Sequence, residues 1–304
     1  HKRINMPHLH HHSEPNNRNL LISVVLNATI TLAEFIGGFL SNSLALISDA
    51  VHNLSDTMAI IISYIAMRIG NKKSTSKNTF GYKRIEILAA LFNAVVLIAI
   101  SVYLFFEAYQ RFLNPEPIEG KLMFIVATVG LIGNLVSVLL LHKDSSNNLN
   151  VKAAYLHLLG DTLSSVGVII GSILIYFYQI TWVDPVLTVL IGLIIIRGTW
   201  GIIKETVNIL MQASPTEVEI EKIKEELEKH PGIRNIHHIH VWQLSDNIMH
   251  FECHADVVND MRISETNKIR AELEDILYNT FKFKHVTIQM ELDICADKNA
   301  INKS

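Results

Sequence analysis

Six long runs of apolar residues occupy most of the chain up to Ile203. A helix needs about 20 apolar residues to cross the hydrocarbon core of a bilayer, and each run has roughly that length. Across the chain, 49% of the residues are apolar and only 18% are charged, a balance that disfavours a soluble globular fold. The sequence therefore predicts an α-helical membrane protein with six transmembrane helices, over residues 20–40, 44–69, 85–112, 122–142, 151–179 and 186–203.

The two ends of the chain lack such runs. Residues 1–19 are polar, contain several histidines and have no apolar segment of the secretory type, so we expect a disordered tail. Residues 20–211 are expected to form the transmembrane domain, and residues 212–304 a charged cytosolic domain. The patterns in this last domain predict helix, strand, strand, helix and strand, over residues 217–229, 236–244, 248–257, 263–281 and 285–292. This order is typical of a small α+β domain of the split βαβ kind.

Basic residues in the short connections predict the orientation of the helices, because Lys and Arg favour the cytoplasmic side of a membrane. The connections around residues 68–84 and 143–152 carry Lys or Arg, whereas those at 41–43, 115–119 and 181–184 carry neither. Both termini are therefore expected in the cytoplasm.

Charge and cysteine content exclude two classes of protein. The formal net charge of −3 disfavours a nucleic acid as partner, since nucleic-acid-binding domains usually carry a basic excess. The two cysteines, Cys253 and Cys295, are too few for a disulfide framework, and they favour a reducing compartment.

Two of the predicted spans contain matched pairs of ionisable residues. His52 and Asp56 are four residues apart in the second span, as are His157 and Asp161 in the fifth. Residues at this spacing share a helix face, and ionisable side chains inside a membrane are costly, which indicates a function. Two imidazoles and two carboxylates suit a tetrahedral Zn²⁺ ion. Asp49 shares the face of His52, and its role as ligand, hydrogen-bond acceptor or path residue stays open.

The same four residues predict how transport is driven. A metal ion requires deprotonated ligands, so metal and protons compete for one set of atoms, and metal export would bring protons in. Zinc, cadmium and cobalt all accept nitrogen and oxygen ligands, so the sequence does not separate them. Isolated polar residues in spans are commonly packing residues, and we interpret Glu34, Asn93 and Asn134 as hydrogen-bonding groups between helices.

The predicted strands of the soluble domain carry a second group of potential ligands. The first strand carries His237, His238 and His240, the second His250 and His254, and the third His285 and Glu291. Because side chains alternate along a strand, His238 and His240 are expected on one face and His237 on the other. The group is interpreted either as a cytosolic metal site that senses metal load or as ordinary surface and core histidines.

Several motifs carry a resemblance to a known family. They are Ser-Leu-Ala-Leu-Ile-Ser-Asp-Ala-Val-His-Asn-Leu-Ser-Asp at 43–56, Thr-Phe-Gly-Tyr-Lys-Arg-Ile-Glu at 79–86, His157 with Asp161, His-Val-Trp at 240–242 and Thr-Ile-Gln-Met-Glu at 287–291. Together they resemble the zinc-exporting branch of the cation diffusion facilitator family. The resemblance implies proton-coupled export of zinc by a homodimer of six-span protomers, in the plasma membrane or the bacterial inner membrane.

The resemblance also implies particular residues and a fold. It assigns the transport site to the two His-Asp pairs, a cytosolic metal site to His237, His254 and Glu291, and a ferredoxin-like fold to the cytosolic domain. It implies no catalytic residue and no cofactor, with zinc acting only as the transported and regulatory ion. Some bacterial relatives have a further metal site in the loop at residues 71–84, but this loop lacks His, Asp, Glu and Cys, so none is expected.

Two alternatives belong to other functional classes. A divalent cation channel would need rings of carbonyls or carboxylates along a continuous pore, whereas tetrahedral ligation opposes rapid conduction. A zinc-dependent membrane enzyme would need an open metal position for water, but the predicted site already has four ligands and no His-Glu-x-x-His motif is present. The chain is therefore not expected to be an enzyme.

Overall fold

The computed structural model describes residues 17–142, 149–245, 248–295 and 299–300. The expected tail at residues 1–16 lies outside them, and the first helix already begins at Asn17 rather than after residue 19. The long helices are α1 (Asn17–Ser41), α2 (Leu44–Gly70), α3 (Ile85–Leu113), α4 (Gly120–His142), α5 (Leu149–Tyr178) and α6 (Val183–Leu210).

Four of these helices are long and apolar enough to cross a membrane within the part of the chain that the structure describes. They are α3, α4, residues Leu158–Tyr178 of α5, and α6. The described apolar stretch of α1, Val25–Ser41, is shorter. In α2 the mean hydropathy is lowered by Asp49, His52 and Asp56. A membrane domain of apolar helices is thereby confirmed, while the number of six spans stays a prediction.

The surface of these helices is itself apolar. Large side chains such as Phe92, Leu139, Phe177 and Ile194 are each more than 60% exposed. So many large exposed apolar side chains are rare on soluble monomers and fit contact with lipid.

Close packing of small residues holds the helices of the first compact unit, which comprises residues up to 60 together with 95–199. Helix α4 packs against both α1 and α5. Added β-carbons at Gly130 and Gly133 would collide with Glu34 and Ile30 of α1, so these glycines permit the close approach of the two helices.

A buried carboxylate joins the beginning of α2 to α6. Asp184 Oδ1 accepts hydrogen bonds from Ser43 Oγ at 2.5 Å and from the backbone N–H of Ala45 at 3.2 Å. Asp184 Oδ2 accepts one from the N–H of Leu44 at 2.8 Å. The first N–H groups of a helix have no partner within the helix, and Asp184 supplies that partner from a different helix. We refer to Asp184 with Ser43, Leu44 and Ala45 as the α2 anchor.

The second compact unit comprises residues 61–94 and the chain from 200 onward. It contains α7 (Ile220–Glu228), β1 (Ile233–Ser245), β2 (Ile248–Val257), α8 (Ile263–Asn279) and β3 (His285–Glu291), which confirms the predicted order. The sheet order is β1-β2-β3, with β2 antiparallel to β1 and parallel to β3.

Both short helices cover the sheet with apolar side chains. Ile223 and Leu227 lie one turn apart on α7, and Leu273 and Leu277 do the same on α8. These four residues are at most 1% exposed and belong to one cluster with Phe251 and other buried residues of the sheet. The spacing of four residues therefore produces one apolar stripe per helix, as expected for amphipathic helices.

A β-bulge in β1 contradicts the expected alternation of the histidines. The pairing with β2 shifts register between His237 and His240, and His238 has a left-handed backbone with φ of 50°. A bulge inserts an extra residue and redirects the side chains that follow. His237 and His238 consequently lie against each other, with ring centroids 5.1 Å apart, while His240 is exposed. The expectation that His238 and His240 share a face opposite His237 is wrong.

Candidate metal sites

Helices α2 and α5 bring three of the four predicted transport ligands together. His52 Nε2 lies 3.6 Å from Asp56 Oδ2 on its own helix and 3.9 Å from Asp161 Oδ1 on α5. Asp161 is buried, whereas His52 and Asp56 are partly exposed. The imidazole of His52 therefore lies between carboxylates from two different helices.

The fourth predicted ligand, His157, is described only by its backbone. It lies on α5, four residues before Asp161. Its side chain is outside the described part of the structure, so its membership of the group rests on this spacing.

The distances within the group suit a shared metal ion better than direct hydrogen bonds. Both exceed the usual range for an N–H to oxygen hydrogen bond, which is about 2.7–3.2 Å. Two ligand atoms that each lie about 2.0 Å from a tetrahedral Zn²⁺ are separated by roughly 3.3 Å. Shortening these two distances by about 0.3 Å and 0.6 Å would place His52 Nε2 at that separation from Asp56 and from Asp161.

Further polar residues tie the same helices together near these ligands. Ser164 of α5 donates a hydrogen bond to Asp49 Oδ1 at 2.8 Å, and Asn53 of α2 donates one to Glu34 Oε2 at 3.2 Å. All four side chains are largely removed from solvent. Asp49 is thus an acceptor for a residue three positions after Asp161, and Glu34 is a hydrogen-bonding group between helices, as interpreted from the sequence.

Asn134 differs from its interpretation. It is fully buried on α4, but neither atom of its amide has a hydrogen-bond partner among the described residues. The interpretation of Asn134 as a hydrogen-bonding group between helices is therefore wrong for this structure. A spacing pattern cannot show which residue of a neighbouring helix will face a given amide.

The soluble domain gathers a second group of ligands at the bulge of β1. His237 Nε2 lies 3.0 Å from Glu291 Oε1, and His254 Nδ1 lies 3.1 Å from Glu291 Oε2. Ligand atoms of His237, His238, His254 and Cys295 all lie within 4.8 Å of one another. Cys295 Sγ is 3.6 Å from both His254 Nδ1 and Glu291 Oε2. We call these five residues the cytosolic cluster.

Buried nitrogen atoms in the cytosolic cluster lack hydrogen bonds. Both ring nitrogens of His237 and Nε2 of His238 have no hydrogen-bond partner within the described chain, since the contact of His237 with Glu291 lacks suitable alignment. A buried polar atom without a partner is costly, and a metal ion would satisfy these atoms. Imidazole, thiolate and carboxylate are the donors that zinc accepts.

Electrostatics favour the metal-binding protonation states in this cluster. Burial lowers the pKa of His237, and this outweighs the opposing effect of Glu291, so the ring remains neutral. Burial alone would raise the pKa of Glu291, but Cys295, His237, His254 and Gln289 outweigh it and keep the carboxylate ionised. A neutral imidazole and an ionised carboxylate are the forms that coordinate metals.

Comparison with known proteins now decides the family. Residues 20–211 match the cation efflux transmembrane domain, and residues 215–293 match the cytoplasmic domain of cation efflux proteins. This chain belongs to the cation diffusion facilitator family. Cation diffusion facilitators are metal cation transporters, so the alternative of a zinc-dependent membrane enzyme is excluded.

Individual relatives of this cation diffusion facilitator align over nearly its full length. The cation efflux system protein CzcD of Alcaligenes sp. (strain CT14) is 41% identical over 293 residues, which are 96% of this chain and 92% of the relative. The zinc transporter ZitB of Pectobacterium atrosepticum is 39% identical, with 96% and 91% covered. A cadmium, cobalt and zinc/H(+)-K(+) antiporter of Bacillus subtilis is 39% identical, with 96% and 94% covered.

Two members of the cytosolic cluster were not assigned to the site from the sequence of this cation diffusion facilitator. His238 was placed on the wrong face because a regular strand was assumed. Cys295 follows β3, and the segment after it returns to β1, where His238 N donates to Asn299 O and Ile239 N to Ala300 O. The pair His237-His238 within a strand was the available signal, because two adjacent ligands can converge only at an irregularity.

Proposed function

We propose that this protein is a proton-coupled antiporter that exports zinc, or the related ions cadmium and cobalt, from the cytoplasm. The transport site consists of His52, Asp56, His157 and Asp161. The observation that supports it most directly is the position of His52 Nε2 within 4 Å of carboxylates on both α2 and α5. The printed names of its relatives, a zinc transporter and a cadmium, cobalt and zinc antiporter, agree with this substrate class.

Exchange follows from the chemistry of the ligands. An imidazole between two carboxylates binds a divalent cation when deprotonated, and takes up protons once the cation has left. The same atoms cannot hold both, so each transported ion must be exchanged for protons. A low-dielectric membrane interior strengthens this competition, because the uncompensated charges of an empty, deprotonated site would be costly.

The proposal includes the architecture expected from the sequence. All of α1–α6 cross the membrane, and the first residues of α2 are buried among neighbouring helices, where Leu44 clusters with Leu104 and Leu46 with Met123. Both termini lie in the cytoplasm of a plasma membrane or bacterial inner membrane. The soluble domain adopts a ferredoxin-like fold and forms a homodimer.

Zinc flux is expected to follow an imposed pH gradient. In proteoliposomes containing a zinc-reporting dye, an acidic lumen should drive zinc uptake from the medium. Each exchanged proton should increase the accumulation ratio about tenfold per pH unit, since one unit corresponds to a factor of ten in proton activity. A proton ionophore that collapses the gradient should abolish the accumulation.

The same experiment distinguishes the channel alternative. A channel would conduct zinc down its concentration gradient at a rate that is indifferent to the pH gradient, with a steady electrical current. That outcome would contradict the antiporter proposal.

The cytosolic cluster is proposed to be a regulatory metal site. Its sequence-based members are His237, His254 and Glu291, and the structure adds His238 and Cys295 on the strength of their distances. A thiolate and an imidazole on one zinc ion lie roughly 3.5 Å apart, close to the 3.6 Å between Cys295 Sγ and His254 Nδ1. The cluster would sense cytosolic metal, and its loss should weaken the metal response without abolishing flux.

Thiol labelling should report on this cluster directly. Cys253 is fully buried, and burial raises its pKa to about 12, so it should not react with N-ethylmaleimide in the folded protein. Cys295 is only partly buried and should be labelled. Zinc should slow the labelling of Cys295 at least about tenfold, because a metal-bound thiolate is a poor nucleophile. Mass spectrometry of the modified peptides provides the measurement.

Variants of the cluster complete the labelling test. With His254→Ala and Glu291→Ala combined, zinc should no longer protect Cys295. Glu252→Ala is the matched control, since Glu252 is an exposed carboxylate on the same strand as His254. Labelling of Cys295 that ignores zinc in the unaltered protein would remove Cys295 from the cluster.

A further inference from the structure

A basic cavity lies in the second compact unit, and none of its lining residues belongs to either candidate metal site. It has a volume of about 540 Å³. It is formed by the loop between α2 and α3, the first turn of α3, Gln212 after α6, and Trp242 and Leu244 of β1.

The charge in this cavity is of one sign. Lys77, Lys83 and Arg84 line it, and the described lining residues include no Asp or Glu. Lys83 Nζ donates one hydrogen bond, to Asn71 Oδ1 at 2.8 Å, which leaves its other two N–H groups available. Arg84 Nε is buried and has no hydrogen-bond partner among the described residues. Unneutralised cations and an unsatisfied guanidinium N–H indicate an anionic ligand with oxygen acceptors.

The surroundings of the cavity keep further charge away from it. His250 is buried against Trp242 and Phe80, with ring centroids 5.1 Å and 5.6 Å away. Burial lowers the pKa of His250, and His285 and Arg84 lower it further, so His250 stays neutral at physiological pH. The positive charge is therefore confined to the two lysines and the arginine.

One side of the cavity is apolar and exposed. Phe80 is 58% exposed and Leu88 is 52% exposed. Leu88 and Ile85 belong to the first turn of α3, which is one of the helices apolar enough to cross a membrane. Cations beside an exposed apolar surface at the end of a span match the boundary between phosphate headgroup and acyl chain in a phospholipid.

We propose that this cavity binds the phosphate headgroup of an anionic phospholipid, with Lys77, Lys83 and Arg84 contacting the phosphate and Phe80 and Leu88 contacting the start of the acyl chains. The loop at residues 71–84 lacks metal-binding side chains, and in this proposal its ligand is an anion. The proposal does not depend on which cation the protein carries, nor on proton coupling.

The test uses the full-length protein in neutral detergent and the fluorescence of Trp242. The chain has three tryptophans. Replacing the other two, with Trp182→Phe and Trp200→Phe, leaves Trp242 as the single tryptophan of the variant. The probes are dihexanoyl phosphatidylglycerol, dihexanoyl phosphatidylcholine and inorganic phosphate. The two lipids are titrated below their critical micelle concentrations. The anionic lipid should change the fluorescence saturably, and the other two should require at least about tenfold higher concentrations.

Lysine variants locate the binding to the cavity. Lys77→Gln with Lys83→Gln should weaken binding of the anionic lipid about 25-fold, because each basic residue at a membrane surface contributes about fivefold. Lys72→Gln with Lys73→Gln is the matched control in the same loop, since neither residue lines the cavity, and it should change the affinity less than about threefold.

Three outcomes would overturn the proposal. Equal affinity for the anionic and the zwitterionic lipid would show that the cavity does not recognise the net negative charge of the headgroup. Equal affinity for inorganic phosphate would identify a free phosphate site. Equal losses in the two lysine pairs would show only general attraction to a basic loop.

Discussion

Replacing Asp161 by Ala should reduce zinc flux in proteoliposomes at least about 100-fold while the protein remains folded and inserted. Changes to residues that merely support a metal ligand already cost about 10–100-fold in affinity or activity, so loss of a ligand should cost more. Asp161 is buried, and its carboxylate faces His52 across two helices at 3.9 Å. Flux is measured with a zinc-reporting dye, insertion by recovery of the protein in the membrane fraction, and folding by size-exclusion chromatography of the extracted protein.

A matched control comes from the same helix. Leu163 lies two residues after Asp161 and is 70% exposed, whereas Asp161 is buried. Leu163→Ala should leave zinc flux within about twofold of the unaltered protein, since a lipid-facing side chain makes few contacts with the helices. Unchanged flux in Asp161→Ala would remove this residue from the transport site, and equal losses in both variants would point to damage of α5 as a whole.

Replacing Asp184 by Ala should destabilise the membrane domain by about 3 kcal/mol. Three donors of the α2 anchor, Ser43 Oγ and the N–H groups of Leu44 and Ala45, would lose their acceptor in a buried position. Each buried donor left unsatisfied costs on the order of 1–3 kcal/mol, so three donors at the lower end of this range give about 3 kcal/mol. The midpoint of thermal unfolding in detergent should fall by roughly 10 °C.

Glu116 offers the matched control for the α2 anchor. Its carboxylate also binds the segment before α2, where Asn42 Nδ2 donates to Glu116 Oε2 at 3.0 Å, but this contact is exposed to solvent. Glu116→Ala should therefore change the stability by less than about 1 kcal/mol. A midpoint in Asp184→Ala that matches the Glu116→Ala value would show that water replaces the lost carboxylate and that Asp184 does not hold α2.

Spacing along single helices was enough to predict which residues share a face, but not which helices meet. His52 and Asp56 follow from their separation of four residues alone. The approach of Asp161 to His52 depends on how α2 and α5 pack, and it was predicted only because the pair His157 and Asp161 repeats the pattern. Asn134 has no such repeat, and its interpretation failed.

The soluble domain shows the limit of strand patterns. The order of helices and strands follows from amphipathic spacing, because Ile223 and Leu227 must cover a sheet. The bulge at His238 depends on register with β2, and the position of Cys295 on the return of residues 299–300 to β1. Both are tertiary features: the bulge has only the adjacent pair His237-His238 as a local signal, and the position of Cys295 has none. Both determine which side chains form the cytosolic cluster.

The α2 anchor holds one end of this helix, so a tilt of α2 about that end moves residues further along it by larger distances. Asp184 accepts hydrogen bonds from the N–H groups of Leu44 and Ala45, whereas the proposed ligands His52 and Asp56 lie further along the same helix. At a rise of 1.5 Å per residue, His52 is about 12 Å and Asp56 about 18 Å from Leu44. A tilt of roughly 10° about the anchored end would displace them by about 2 Å and 3 Å. In the proposed transport site, such a rotation would separate His52 from Asp161 far enough to release a bound cation.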